Sequence, residues 1–228
     1  MSGRVIMLAT LALGAGCTPD AAPEDGTCAL DDAPHVLLLR TIHFALADAN
    51  GVSLGFDLDG QTTVPGDGTG CGIADYAGGD GEAGIDNAFT LLQPALDSTE
   101  AKITAIEGLV QDAIDSGALL IAIEVGGIDD WEADACVAGA VGKAEGTPMI
   151  GTDGLILDGQ TFDRDAAVEP TALTDGAITE GVLEARGLSF ELPVQILNAN
   201  LVFPLREGGL HLERSGDDAY TGFLAGKV

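Results

Sequence analysis

The sequence predicts an α+β protein that is mostly β, a curved antiparallel sheet or sandwich with one inserted helical pair. Three observations predict this. Apolar and polar residues alternate along several short runs, most clearly at Leu188, Phe190, Leu192, Val194 and Ile196, which gives an extended chain one apolar face. Asp-Gly and Gly-Gly pairs at 153–154, 158–159, 175–176 and 208–209 punctuate these runs. Such pairs supply the positive φ of two-residue hairpin turns. Helical spacing is confined to residues 86–116. The 228 residues suffice for one packed core, and 46% apolar against 20% charged residues argues against disorder. With 37 acidic and 9 basic side chains the net charge is −28, which excludes nucleic acid and anionic lipid headgroups as electrostatic partners.

The N-terminus is a leader by composition. Arg4 precedes the apolar run from Val5 to Leu13, and Gly14-Ala15-Gly16-Cys17 follow. The run is too short to span a bilayer and suits a secretory signal over residues 1–16. A Cys directly after small residues resembles the lipobox of bacterial lipoproteins, with Gly14 standing where that family usually has Leu. The resemblance covers residues 1–17 and implies that Cys17 is lipidated, becomes the mature N-terminus and tethers the chain to a membrane. Thr18 stands where an Asp would signal inner-membrane retention, so the resemblance points to the outer membrane or cell surface. Residues 17–34, rich in Pro, Asp and Ala, read as a tether, and residues 35–228 as a single β-rich domain.

With Cys17 acylated, Cys28, Cys71 and Cys136 remain in a disulfide-permissive compartment. Cys71–Cys136 is the expected bridge, since both lie in turn-rich segments of the domain; pairings through Cys28 are the alternatives.

Within the domain, Val36, Leu38, Ile42 and Phe44 share one face of a strand over 35–46, interrupted by Arg40. The segment VSLGFDLDG continues the alternation and would project Asp57 and Asp59 to the same side. Residues 60–85 form a long acidic loop. Asp86-Asn87 offers a helix N-cap, with Phe89, Leu92 and Leu96 behind it and Pro94 ending or kinking that helix. A second helix is expected from Asp97, with Glu100 at capping-box spacing, an apolar face of Ile103, Ile106, Val110 and Ile114, and a stop at Ser116-Gly117. The apolar run 118–125 reads as a buried central strand, and LVFPL, GLHLER and YTGFLAG as further strands. Pro193 marks an edge or a bulge.

One constellation carries chemistry. Asp57, Asp59, Asp67, Asp75, Asp80, Glu82, Asp86 and Asn87 fall within 31 residues that hold no Lys or Arg. Crowded carboxylates repel, and a hard divalent cation relieves that repulsion. Calcium is the expected cofactor, with Asp57, Asp59, Asp75, Asp86 and Asn87 as ligands. The glycine spacing matches neither an EF-hand nor a tandem calcium β-roll. As a block the segment looks like stretches of bacterial surface lipoproteins, a likeness that implies no activity.

These readings predict a surface-anchored, calcium-stabilised envelope lipoprotein that acts as a binding module without catalysis, with a cell-surface or carbohydrate partner. The alternative is a carbohydrate-active hydrolase using carboxylates from Asp129-Asp130-Trp131-Glu132-Ala133-Asp134 with another acid such as Glu191. Against it, a loop packing Trp131 on the sheet explains the same residues. A third reading is a carrier of an apolar or acyl ligand on the alternating stretch 177–205. His35, His43 and His211 lack zinc-site spacing, and neither a nucleophile elbow nor a phosphate loop is present.

Overall fold

The computed structural model describes residues 3–6, 28, 30, 34–64, 73–79, 81–97, 102–196, 199–216 and 219–227. Cys17, most of the tether, Cys71, Asp67 and Asp80 lie outside them. The chain runs through β1 (Gly3–Ile6), β2 (His35–Leu39), β3 (Tyr76–Ala77) and β4 (Ala83–Ile85). A 3-10 turn at Ala88–Leu92 leads into α1 (Gln93–Asp97) and α2 (Ile103–Asp115). Then come β5 (Leu120–Gly126), β6 (Ala133–Glu145), β7 (Asp163–Arg164), β8 (Thr171–Thr179), β9 (Val182–Ile196), β10 (Ala199–Arg214) and β11 (Ala219–Lys227).

The main sheet has the order β5-β2-β1-β11-β10-β9-β8-β6-β7, and β5 also pairs with β6. That last pairing curls the sheet until eight strands close on themselves. From β2 through β5, β6, β8, β9 and β10 to β11 every neighbour is antiparallel. Only β1 breaks the rule, lying parallel to both β2 and β11. The mostly β architecture is therefore a curved antiparallel sheet, and the helices stand in one insert between β4 and β5.

The core is continuous. Leu37, Leu120, Ile123, Leu188, Leu210 and Leu212 are at most 2% exposed, and each such side chain contributes roughly 1.5–3 kcal/mol of burial. Val110 and Ile114 of α2 join the same cluster. The helix therefore follows the predicted apolar face and stops at Ser116, with Gly117 in the left-handed conformation. Two side-chain bonds moor it to the segment after β2: Gln111 Nε2 donates to the Arg40 carbonyl at 2.9 Å, and the Phe44 amide donates to Glu107 Oε1 at 2.9 Å.

Several expectations are corrected. The first strand ends at Leu39 and residues 40–48 are irregular. The second helix starts at Ile103, not Asp97: Asp97 is the last residue of α1, and Lys102 stands at the N-cap without a side-chain bond. Pro94 sits in the first turn of α1, where its missing N–H has no intrahelical partner to lose. Asp175-Gly176 and Gly208-Gly209 are not hairpin turns. Both lie inside strands at register shifts, with Asp175 at φ +53° and Glu207 at +48°, so they bend β8 and β10 as bulges. The tight hairpin is at Glu180-Gly181, φ +55° and +78°, joining Thr179 to Val182.

Strand β6 carried no sequence signal. Its run ADACVAGAVGKAE is rich in Ala and Gly, which have low strand propensity, yet it is central and pairs with β5, β7 and β8. The bare backbone that the β6–β8 approach requires is on β8: a Cβ at Gly176 would lie 2.1 Å from the Val137 carbonyl oxygen of β6.

The disulfide also differs from the expected one. Cys136 on β6 is bonded to Cys28, with Cα atoms 5.4 Å apart. The reason is topological. β5 lies between β2 and β6, and the register sets His35 level with Val125 and Gly139, two strand spacings or roughly 10 Å across the sheet and three residues from Cys136. Cys28, seven residues ahead of His35, meets Cys136 there.

Candidate metal centre in the acidic loop

The acidic segment lies against the barrel through one aromatic anchor. Phe56 is 5% exposed, its ring 4.9 Å from that of Phe223 on β11, with the Arg186 guanidinium 3.9 Å above its face. Residues after Phe56 were expected to continue as a strand, and they do not. Their carboxylates bond the local backbone instead. Asp57 Oδ1 accepts from the Gly60 amide at 2.6 Å, and Asp59 Oδ1 accepts from the Gln61 amide at 2.9 Å. Such Asx turns compete with ladder pairing and fold the chain back on itself.

The fold then brings the far end of the segment alongside. The Asp86 amide donates to the Phe56 carbonyl at 3.0 Å, and Asp86 Oδ2 accepts from the Leu58 amide at 2.7 Å. As a result, one carboxylate oxygen from each of Asp57, Asp59 and Asp86 lies within 4.8 Å of the others. Gly84 makes room for this. Its φ is +91°, and a Cβ there would stand 3.1 Å from the Gln61 carbonyl and 3.3 Å from Asp57 Oδ2.

Of the five predicted ligands, three converge. Asp75 is bonded by the Thr63 amide, and its charge still reaches Asp86. Asn87 is used elsewhere. Its Oδ1 caps the 3-10 turn by accepting from the Thr90 amide at 3.3 Å, and its Nδ2 donates to the Ala45 carbonyl and Ser53 Oγ at 2.8 and 2.7 Å. Asn87 was thus read correctly as an N-cap, and that role ties the insert to residues 45–53.

The electrostatics are those of a crowded anionic site. Burial first, then the charges of Asp59, Asp75 and Asp57, push the Asp86 carboxyl above the ordinary carboxylate range. Lys227 at the end of β11 pairs with Glu207 at 2.7 Å and also feels Asp59 and Asp86. The donors are hard oxygens, which suits calcium or magnesium and not zinc. Oxygens no more than 4.8 Å apart can share one calcium, since two ligands at roughly 2.4 Å from the ion lie at most that far from each other.

Three of the residues behind the hydrolase reading, Asp130, Trp131 and Asp134, make structural contacts. Asp134 is buried, and its two oxygens accept from the Asp129 and Cys136 amides at 2.8 and 2.9 Å. Asp130 accepts from the Glu132 amide at 2.9 Å. Trp131 packs on the core, its ring 5.2 Å from His35 and 5.4 Å from Tyr220. Glu191 is exposed and lies 3.6 Å from Arg206.

One group escaped sequence reasoning. His211 on β10 is stacked on Phe223 at 4.7 Å, with Nδ1 2.9 Å from Glu184 and Nε2 3.2 Å from Glu213. Glu213 stands two residues away on the same strand, a visible signal, whereas Glu184 arrives only through the register of β9.

The chain matches no family model, no curated protein and no solved structure in the comparisons made. Among the described residues, no helix is long and apolar enough to cross a membrane.

Proposed function

We propose that this protein is a calcium-stabilised envelope lipoprotein, anchored by a lipid on Cys17 and acting as a binding module without catalysis. The observation that supports the reading best is the convergence of Asp57, Asp59 and Asp86. Three carboxylates held together by local backbone bonds, with Asp86 resisting ionisation, form a site whose repulsion a divalent cation removes. Calcium fits better than magnesium, because a loop of mixed carboxylates and carbonyls suits a large, flexible coordination sphere. The ion would hold the two ends of the acidic segment together beside Phe56, and so fix the insert on the outside of β9, β10 and β11.

Thermal unfolding tests this. For an extracellular-type affinity of roughly 10⁻⁴ M, about 10 mM calcium stabilises by about 2.7 kcal/mol. For a domain of this size that is a rise in Tm of about 5–10 °C. Magnesium should do less, and a chelator should reverse the gain. Asp57→Asn with Asp59→Asn should abolish most of the response. Asp112→Asn with Glu169→Gln, exposed carboxylates outside the cluster, should leave it intact. A Tm unmoved by calcium, or moved equally in both double variants, would show the segment to be solvated surface.

A further inference from the structure

The eighth strand of the barrel comes from residues that the sequence reads as a leader. Gly3–Ile6 sits between β2 and β11, with Val5 level with Leu38 on one side and with Ala219 on the other. Removal of residues 1–16 therefore takes a strand out of a closed sheet. What remains is a seven-stranded antiparallel meander whose two edges, β2 and β11, face one another across a slot two strand spacings wide, roughly 10 Å. An odd number of antiparallel strands makes those two edges parallel, so one incoming strand can bond both with a single orientation.

We infer that this seam is a strand-acceptor site in the mature protein, occupied there by an extended apolar segment of another polypeptide that adds by backbone pairing. The inference rests on the proposed removal of the leader and deepens the binding-module reading by naming the partner's chemistry. Three observations carry it. A strand, Gly-Arg-Val-Ile, apolar but for Arg4, is already seated in the seam in a defined register, from Gly3 opposite Val36 to Ile6 opposite Leu39. The flanking side chains are core residues: Leu37, Leu38, Leu39 and Tyr220 are at most 5% exposed, and an unfilled seam would wet them. Trp131 keeps the edges apart, its ring packed on His35 of β2 and on Tyr220 of β11, which opposes direct closure to seven strands. The net charge of −28 selects further, since an acidic segment would be repelled and Arg4 in the seated strand is basic. Main-chain bonds would supply affinity and the alternate side chains specificity.

The test uses protein purified from a host that processes lipoproteins, its N-terminus read by intact mass, and a fluorescent peptide of residues 2–9 as the probe. A chain beginning at Cys17 should bind the peptide one to one and slow hydrogen exchange at Val36–Leu39 and at residues 219–220. A peptide carrying Val5→Pro, which loses a donor, should bind at least about ten-fold more weakly. Full-length chain made cell-free, with the leader retained, should show those amides already slow and bind no added peptide. The inference is overturned if the mature chain binds no peptide and its two edges are already protected, because β2 then pairs with β11 directly. Binding indifferent to Val5→Pro overturns it too, as apolar adhesion. A purified chain still starting at Met1 overturns it through the leader reading itself, and the mass alone separates that failure from the others.

Discussion

His211 is the residue with the clearest pH response. Across the strands it meets Glu184 on β9 and Phe223 on β11, with Glu213 two residues along its own strand and Arg186 next on that face of β9. Burial pulls its pKa down, but the bonds and charges of Glu184 and Glu213 outweigh burial and hold it above the ordinary 6.5. A folded pKa above the unfolded one means stability that is fully present below pH 6.5 and lost as pH rises through the folded value. Glu184 works from the other side. The bond from His211 holds its pKa below the ordinary 4.5, so its contribution is present above pH 4.5 and fades as pH falls through the folded value. Tm should therefore peak between about pH 4.5 and 6.5 for the His211–Glu184 pair and decline as pH rises through the folded His211 value. His211→Gln should flatten the decline, as measured by thermal scans through that value. A decline of equal slope in the variant would assign it to other groups.

At the scale of elements, the bridge from Cys28 to β6 and the plug at Trp131 act on the same end of the barrel, where β2, β6 and β11 all begin. The sequence separation of 108 makes the bridge a long-loop constraint, worth about 4–5 kcal/mol on the chain-entropy model. Cys28→Ala should accordingly lower the denaturant midpoint by a large fraction of total stability, and Cys71→Ala should not. Non-reducing peptide mapping should recover a linked fragment containing Cys28 and Cys136. A fragment linking Cys71 to Cys136 would overturn the pairing. The bridge ties Cys28 to the start of β6.

For the whole molecule, anchoring and the metal act at different places. On the proposed reading the lipid would attach at Cys17, ahead of β2, and the ion would sit in the acidic segment, which packs on β11 through Phe56 and Phe223 and whose Asp59 and Asp86 act on Lys227. The two should be independent. Cells grown with a labelled fatty acid should label the wild-type chain and not Cys17→Ser, whatever the calcium concentration. A Cys17→Ser chain that still takes up label would sink the anchor assignment.

By itself the sequence determined the fold class, the helical insert with an apolar face of Ile103, Ile106, Val110 and Ile114, a cap at Asp86-Asn87 that falls to Asn87, and a buried strand over 118–125 that runs from Leu120 to Gly126. These rest on local pattern: apolar period, cap chemistry and an unbroken apolar run, each readable within a dozen residues. It also marked the acidic segment, because crowded charge is visible in one dimension. Tertiary structure alone decided the rest. Strand β6 is held by its pairing with β5, β7 and β8 and not by propensity. Asp175-Gly176 and Gly208-Gly209 became bulges because strands on either side claimed those backbones, overriding turn chemistry. Which carboxylates meet, which cysteine reaches Cys136 and which strand fills the seam all depend on chain segments far apart in sequence. Barrel closure sets those distances, and no local pattern encodes them.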